Sequence, residues 1–261
     1  MNHNEGSLAD GRLFFRSWHT QNPRADVVIA HGYAEHSGRY AHVATALVAA
    51  GYDVWAVDHR GHGRSAGERG NIDSMADVVA DLDLLVDLAA AGQRPVFLLG
   101  HSMGGAIALA YAQAHQERLA GLSLSGAAIV FPPELLALVA LPEIPELDLS
   151  PAVSSDPAVV EAYRTDPLVH HGPPSRTTLG ILADSEKLIA GLAELTLPVQ
   201  VMHGSADGLV PSRALGVIVS GVSSADVTAR LWPGLFHEIY NEPIQAAVIG
   251  ELVAWLQGRA R

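Results

Sequence analysis

The stretch Gly100-His101-Ser102-Met103-Gly104 sits between the apolar run PVFLLG (95–100) and the small-residue run GAIALAYAQAH (105–115). A strand that turns this sharply into a helix strains the serine backbone and thrusts its hydroxyl to the carboxyl edge of a sheet. Side chains at 100 and 104 would collide with neighbouring elements, which accounts for both glycines. The same turn frees the Met103 N–H at the positive end of the helix, where it can stabilise a developing oxyanion. Ser102 is therefore a candidate nucleophile, and it needs a base to take its proton and an acid to orient that base. Asp207 follows in the loop after PVQVMHG (198–204), and His237 in the loop after TARLWPG (228–234). Both lie just past strand carboxyl ends, where an open α/β sheet gathers its ligand-binding groups. Taken singly, Asp207 could stabilise a turn before Gly208 and His237 could be an exposed loop histidine; in this order, with Ser102 in its elbow, they make a triad. Glu238 is the rival acid, but adjacent loop residues seldom point so that one orients the other's ring.

A second oxyanion donor must come from the loop after an early strand. HGYAEHSGRY (31–40) follows DVVIA (26–30) and packs two histidines, a glutamate and an arginine into ten positions. Such a cluster could be a metal site, an acid/base pair or the scaffold of another site. The third reading places the Tyr33 N–H opposite that of Met103, with Gly32 letting the backbone turn tightly; the donor is main chain, so residue 33 can vary. Asp58, His59 and His62 in DHRGHGRSAGERG (58–70) lack the metallohydrolase layout H-x-H-x-D-H, and no phosphate loop with its lysine occurs. They read as an ordered loop beside the site. His170 and His171 read as surface or pocket-rim residues.

These residues need a frame. Short runs rich in β-branched and aromatic residues, LFFRSW (13–18), DVVIA, YDVWAVD (52–58), PVFLLG, LAGLSLSG (119–126), PVQVMHG and TARLWPG, alternate with helical patterns. RYAHVATALVAAG ends at Gly51 and MADVVADLDLLVDLAAAG at Gly92, each glycine closing a helix. Strand, helix, strand repeated predicts a layered α/β fold with a mainly parallel sheet. The alternation breaks over residues 127–190, where FPPELLALVALPEIPELDLSPAVSSDP and DPLVHHGPPSRTT carry turn chemistry without strand periodicity. An inserted subdomain of short helices is expected there, dividing the core into 1–126 and 191–261.

With 261 residues, 49% of them apolar, the chain can bury a sizeable core. No run reaches the roughly 18 apolar residues of a membrane span, and the polar start lacks a secretory layout, so a cytoplasmic protein is expected. The absence of cysteine excludes disulfides, thiolate metal sites and a cysteine nucleophile. A net charge of −12 without a basic patch argues against nucleic acid as a partner.

HGYAEHSGRY, DHRGHGRSAGERG, GHSMGG, DPLVHHG, HGSADGLVP and PGLFHEIYNEP, in this order along most of the chain, closely resemble the monoacylglycerol lipases, above all the actinobacterial ones. The resemblance implies the α/β-hydrolase fold with a helical cap inserted after the sixth strand, and a serine hydrolase that cleaves a glycerol ester of one fatty acid without metal or organic cofactor. Carried over by motif, the nucleophile falls on Ser102, the acid on Asp207, the base on His237 and the oxyanion donors on Tyr33 and Met103. Glu35, His36, Arg39 and His101 become groups that hold the surrounding loops. The insertion looks shorter than the family's cap. Leu135, Leu138 and Val139 of the apolar segment FPPELLALVALP (131–142), with Val210, are candidate acyl-binding residues. That segment is either a buried lid helix or a surface that touches lipid transiently, which would make the protein peripheral to a membrane. A broader carboxylesterase or lysophospholipase would use the same triad, as would a perhydrolase; a catalytically silent ligand cup is the alternative from another class.

Overall fold

The computed structural model describes residues 3–260. Among the described residues eight strands form one sheet: β1 (His3–Leu8), β2 (Leu13–Trp18), β3 (Ala25–Ala30), β4 (Tyr52–Val57), β5 (Val96–His101), β6 (Gly121–Ser125), β7 (Val199–Gly204) and β8 (Val227–Trp232). Their spatial order is β1-β2-β4-β3-β5-β6-β7-β8, with β1, β2 and β4 joined antiparallel and the rest parallel. In the same described residues ten α-helices accompany them: α1 (Ala41–Ala49), α2 (Met75–Ala90), α3 (Met103–His115), α4 (Pro133–Leu138), α5 (Ser150–Val153), α6 (Pro157–Thr165), α7 (Arg176–Ala183), α8 (Glu186–Ala190), α9 (Arg213–Gly221) and α10 (Gln245–Gln257). None is long and apolar enough to cross a membrane.

The central strands are apolar throughout because both faces are covered, and their two-residue period sends alternate side chains into different layers. On β3, Val28 and Ala30 pack with α2 and α3, while Val27 and Ile29 pack with α1 and α10. On β5, Leu98 joins the first layer and Phe97 and Leu99 the second.

β1 has no counterpart in the sequence reading. It pairs with β2 through the tight turn Ala9-Asp10-Gly11, whose φ angles of 51°, 56° and 87° are all left-handed. HNEGSL has almost nothing apolar to alternate, because β1 is an exposed edge strand held mainly by its ladder. Gly51 closes α1 with φ 90° as expected, but after α2 the left-handed residue is Gln93 (φ 54°), not Gly92. Gly92 instead lies against the Arg94 guanidinium, which a Cβ there would meet at 2.7 Å.

Between β6 and β7 the chain forms α4 to α8. α5 and α6 share a small apolar cluster of Val153, Tyr163 and Val169. Leu188 of α8 instead packs in the sheet layer with α3 and α9. α4 has no buried residue; Leu136 within it and Leu141 just after it are 42% and 39% exposed.

Candidate active site

β5 runs into α3 through Ser102, whose backbone sits at φ 53°, ψ −120°. For a residue with a Cβ this region costs about 1–3 kcal/mol, and local hydrogen bonds hold it there. The Ser102 N–H donates to Ser125 O at 3.0 Å, and the Ser102 carbonyl accepts from Gly105 (2.9 Å), Ala106 (3.1 Å) and Ala128 (3.0 Å). Both glycines answer to close approach. A Cβ on Gly100 would lie 2.5 Å from Gly104 O, and one on Gly104 would lie 2.1 Å from Ala30 O. Met103 opens α3, so its N–H has no partner in the helix and stands at the positive end of a 13-residue dipole.

The loop after β3 meets this elbow. The left-handed residue of this turn is Ala34, at φ 66°, and not Gly32. Gly32 is required for contact instead, since a Cβ would meet Glu35 Oε1 at 2.9 Å and Ser102 Cβ at 3.1 Å. Glu35 Oε1 accepts the Gly32 N–H and the Tyr40 hydroxyl, each at 2.7 Å, and thereby fixes the peptide that precedes the Tyr33 N–H. His36 accepts the Gly38 N–H (3.1 Å) to cap the 3-10 turn Ser37–Tyr40, and its other ring nitrogen lies 2.9 Å from Asp166 Oδ2. Arg39 bridges Glu35 (3.0 Å) and Glu238, which it grips with both guanidinium nitrogens, and lies 4.7 Å over the Tyr163 ring. Removing Arg39 would leave two buried carboxylates unpaired, a change that typically costs about 3–5 kcal/mol.

Asp207 stands after β7, held by three hydrogen bonds and faced by the ring of His203, which also bonds Val210 O at 3.0 Å. Oδ2 lies 2.7 Å from His237 Nδ1 and 3.0 Å from His203 Nε2, while Oδ1 accepts the N–H groups of Leu209 and Val210 at 2.9 Å each. Burial would raise its carboxyl, but the charge of His237 and the bonds from His203 and His237 overcome this and hold it below the ordinary carboxylate range. Burial likewise would lower His237, and the facing Asp207 carboxylate overcomes it and raises the imidazole above its usual value. Glu238, the rival acid, turns to Arg39; burial pushes its carboxyl up and the guanidinium pulls it below normal. Glu35 is pushed up to about 7 by burial and then by the charge of Glu238, against Arg39. The His101 ring packs 4.7 Å from that of His237, and burial, with the facing His237, holds it neutral down to about 3.

Ser102, His237, Tyr33 and Met103 line one cavity, open at its mouth to solvent. Its polar end carries Glu35, His101 and Glu238. The rest is apolar: Phe131, Leu135, Leu147 and Leu149 before α5, Leu179 and Leu182 of α7, and Leu209 and Val210 beside Asp207. Of the four expected acyl-binding residues, Leu135 and Val210 line this cavity and Leu138 and Val139 do not. They lie about a turn further along from Leu135, past the end of α4 in Val139's case, and both are half-buried. Tyr163, Pro174 and the leucines of the later insertion also line it, and no sequence pattern marks them, because nothing in a lone leucine's spacing tells which cavity it will face. His203 carries a better signal, standing in HGSAD four positions before the acid.

His59 and His62 lie packed against His31, at ring distances of 4.5 Å and 5.6 Å from it, and burial depresses them to about 3 and about 4. Asp58 accepts the N–H groups of Ser37 (2.8 Å) and Arg64 (2.7 Å). Among the described residues no group of three or more His, Asp or Glu could hold a metal ion. His170 donates its N–H to Ala34 O at 2.8 Å and packs edge-on against Tyr33, whereas His171 is exposed.

Comparison with known proteins identifies the family. Residues 21–244 match the Hydrolase_4 family, described as "Serine aminopeptidase, S33". The chain is 39% identical to the "Monoacylglycerol lipase" of Mycolicibacterium smegmatis, over 97% of this chain and 96% of that protein. It is 34% identical to the human "Monoglyceride lipase", over 96% of this chain and 89% of that one. The crystal structure of Paleococcus ferrophilus monoacylglycerol lipase superposes with a TM-score of 0.80 at 27% identity, covering 93% of this chain and 99% of that chain. The chain belongs to the Hydrolase_4 family on the α/β-hydrolase fold, and within it to the carboxylic ester hydrolases related to the monoacylglycerol lipases.

Proposed function

We propose that the protein hydrolyses monoacylglycerols to fatty acid and glycerol through an acyl-enzyme on Ser102. The observation that carries this reading is the meeting, in one largely apolar cavity, of a strained serine at a helix N-terminus with a histidine whose Nδ1 is held 2.7 Å from a buried carboxylate. Ser102 Oγ attacks the ester carbonyl while His237 Nε2 takes its proton, and Asp207 keeps the other ring nitrogen protonated and stabilises the imidazolium. The carbonyl oxygen, now an anion, accepts from the N–H groups of Tyr33 and Met103. His237 then gives its proton to the glycerol oxygen, the ester C–O bond breaks, and a water activated by the same histidine releases the fatty acid. The leucine-lined part of the cavity suits one acyl chain, the charged end a polyhydroxyl leaving group, and the names of the relatives at 39% and 34% identity point to the same substrate.

Residues 127–190 act in this reading as a cap over the acyl end, with α8 as its anchor on the core. Its exposed Leu136 and Leu141 offer a small apolar surface for transient contact with the lipid that supplies the substrate.

Ser102→Ala should abolish hydrolysis of monoacylglycerols and labelling by a fluorophosphonate while leaving the thermal transition in place. A Ser102→Ala enzyme with full esterase activity would defeat the assignment. A panel of monoacylglycerols, di- and triacylglycerols, lysophospholipids and short aryl esters tests the substrate class, with the highest kcat/KM expected on a monoacylglycerol.

A further inference from the structure

The His237 loop is gripped from two sides. Beneath it, Gly204 at the end of β7 lies so close that a Cβ would meet Phe236 O at 2.2 Å and Leu235 O at 2.3 Å. Above it, α5 takes two of its N–H groups: His237 donates to Ala152 O at 3.4 Å and Glu238 to Val153 O at 2.8 Å. The N–H just before these, on Phe236, goes to a side chain, Glu242 Oε1, at 2.6 Å.

Glu242 is fully buried, and the mechanism has no use for it. Its other carboxylate oxygen, Oε2, accepts the Ser155 N–H at 3.1 Å and the Ser155 hydroxyl. A buried carboxylate is costly unless hydrogen bonds satisfy it. Here every one of these donors belongs either to the histidine loop or to the residues that follow α5. The Ser154 hydroxyl adds a bond at 3.0 Å to Asn241 O, next to Glu242 in the chain. Three successive main-chain N–H groups, at 236, 237 and 238, are thus held by one buried carboxylate and by one four-residue helix of the insertion.

We propose that Glu242 is a positioning residue for His237, and that through Ser155 it makes the placement of the histidine depend on α5 being seated. The inference rests on the reading of His237 as the general base. The amide in Glu242→Gln keeps the shape but turns one acceptor into a donor, so either Phe236 or Ser155 faces a donor and the loop shifts. A displacement of about 1 Å at a reacting group costs on the order of a hundredfold in rate.

The test measures kcat and KM for a monoacylglycerol, with kcat expressed per active site titrated by a fluorophosphonate. Glu242→Gln should lower kcat per titrated site by about a hundredfold and leave KM essentially unchanged. Ser155→Ala, which removes one hydroxyl and keeps the Phe236 bond, should lower kcat in the same sense and by less. An unchanged kcat per titrated site overturns the proposal. So does a loss confined to KM or to the number of titratable sites, the signature of a residue that only holds the fold. Should Glu242→Gln fail to fold, Ser155→Ala decides in the same way, since it leaves the carboxylate in place. A fully active Glu242→Gln beside an inactive Ser102→Ala overturns this inference alone; an active Ser102→Ala overturns the functional reading and this inference with it.

Discussion

Asp207→Asn isolates the electrostatic and tautomeric role of the acid, because the structure lets most of the loop survive the change. Asn Oδ1 can still accept the N–H groups of Leu209 and Val210, now at 2.9 Å each, so the turn after β7 is retained. Nδ2 must then face His237 Nδ1 and His203 Nε2, which lie 2.7 Å and 3.0 Å from Oδ2 in the native protein. A donor facing Nδ1 puts the imidazole proton on Nε2, the atom that has to accept the Ser102 proton. A triad whose acid becomes its amide typically loses about 10⁴ in kcat, which at about 1.36 kcal/mol per factor of ten is about 5 kcal/mol of lost transition-state stabilisation. Stability falls by less, about 1.5–3 kcal/mol for each hydrogen bond to a charged group that is lost. The pH profile supplies a second readout. Asp207 raises His237, so the acid limb of native kcat/KM should lie above the unperturbed imidazole value of about 6.5. In Asp207→Asn the residual activity should show that limb at lower pH. Initial rates on a monoacylglycerol from pH 5 to 9, with folding followed by circular dichroism, measure both. A folded Asp207→Asn within tenfold of native kcat would refute the assignment, as would an acid limb that does not move.

Further outcomes follow from burial and packing. Burial holds His59, His62 and His101 neutral to about 3, 4 and 3, so between those values and about 6.5 the unfolded chain binds protons that the folded one does not. Each such histidine therefore costs stability on acidification, by about 1.4 kcal/mol per pH unit, against a smaller opposing gain from Glu35, which is raised to about 7 and takes up its proton first in the folded state; cooperative unfolding is expected by about pH 3.5, and native near-ultraviolet circular dichroism at that pH would contradict it. Gly104→Ala drives a Cβ into the backbone of Ala30 and should cost more than about 3 kcal/mol. Gly216→Ala in α9 meets nothing within 4 Å and has no left-handed φ, so it should stabilise by up to about 1 kcal/mol; thermal denaturation ranks the two. Leu136→Glu, at a side chain 42% exposed, should reduce co-sedimentation with phosphatidylcholine vesicles while leaving hydrolysis of a dispersed short-chain monoacylglycerol unchanged, and binding equal to native would remove the cap from the lipid contact.

Local chemistry made much of this site legible. The elbow at Ser102 could be recognised because a serine at a strand-to-helix turn demands glycines at fixed offsets, and those glycines are in the sequence. The parallel strands were readable because burial on both faces leaves continuous apolar runs such as DVVIA and VFLLG. β1 was not, because an exposed edge strand has no apolar face to write into its sequence. The acyl-lining residues were only partly accessible: Leu135 and Val210 meet the cavity, but Leu138 and Val139 share the apolar character without reaching it.

The sequence by itself determined the layered α/β class, the elbow at Ser102 and the order in which the serine, the acid and the histidine follow it, since each depends on residue type and spacing within a few positions. Tertiary structure decided what depends on distant segments meeting. It gave Glu238 to Arg39 rather than to His237, put the left-handed turn on Ala34 while keeping Gly32 for its contact with Ser102, and brought Ser155 and Glu242, 87 positions apart, onto the loop of the histidine. Hydrogen bonds across such separations follow from how the layers pack, and no local pattern encodes them.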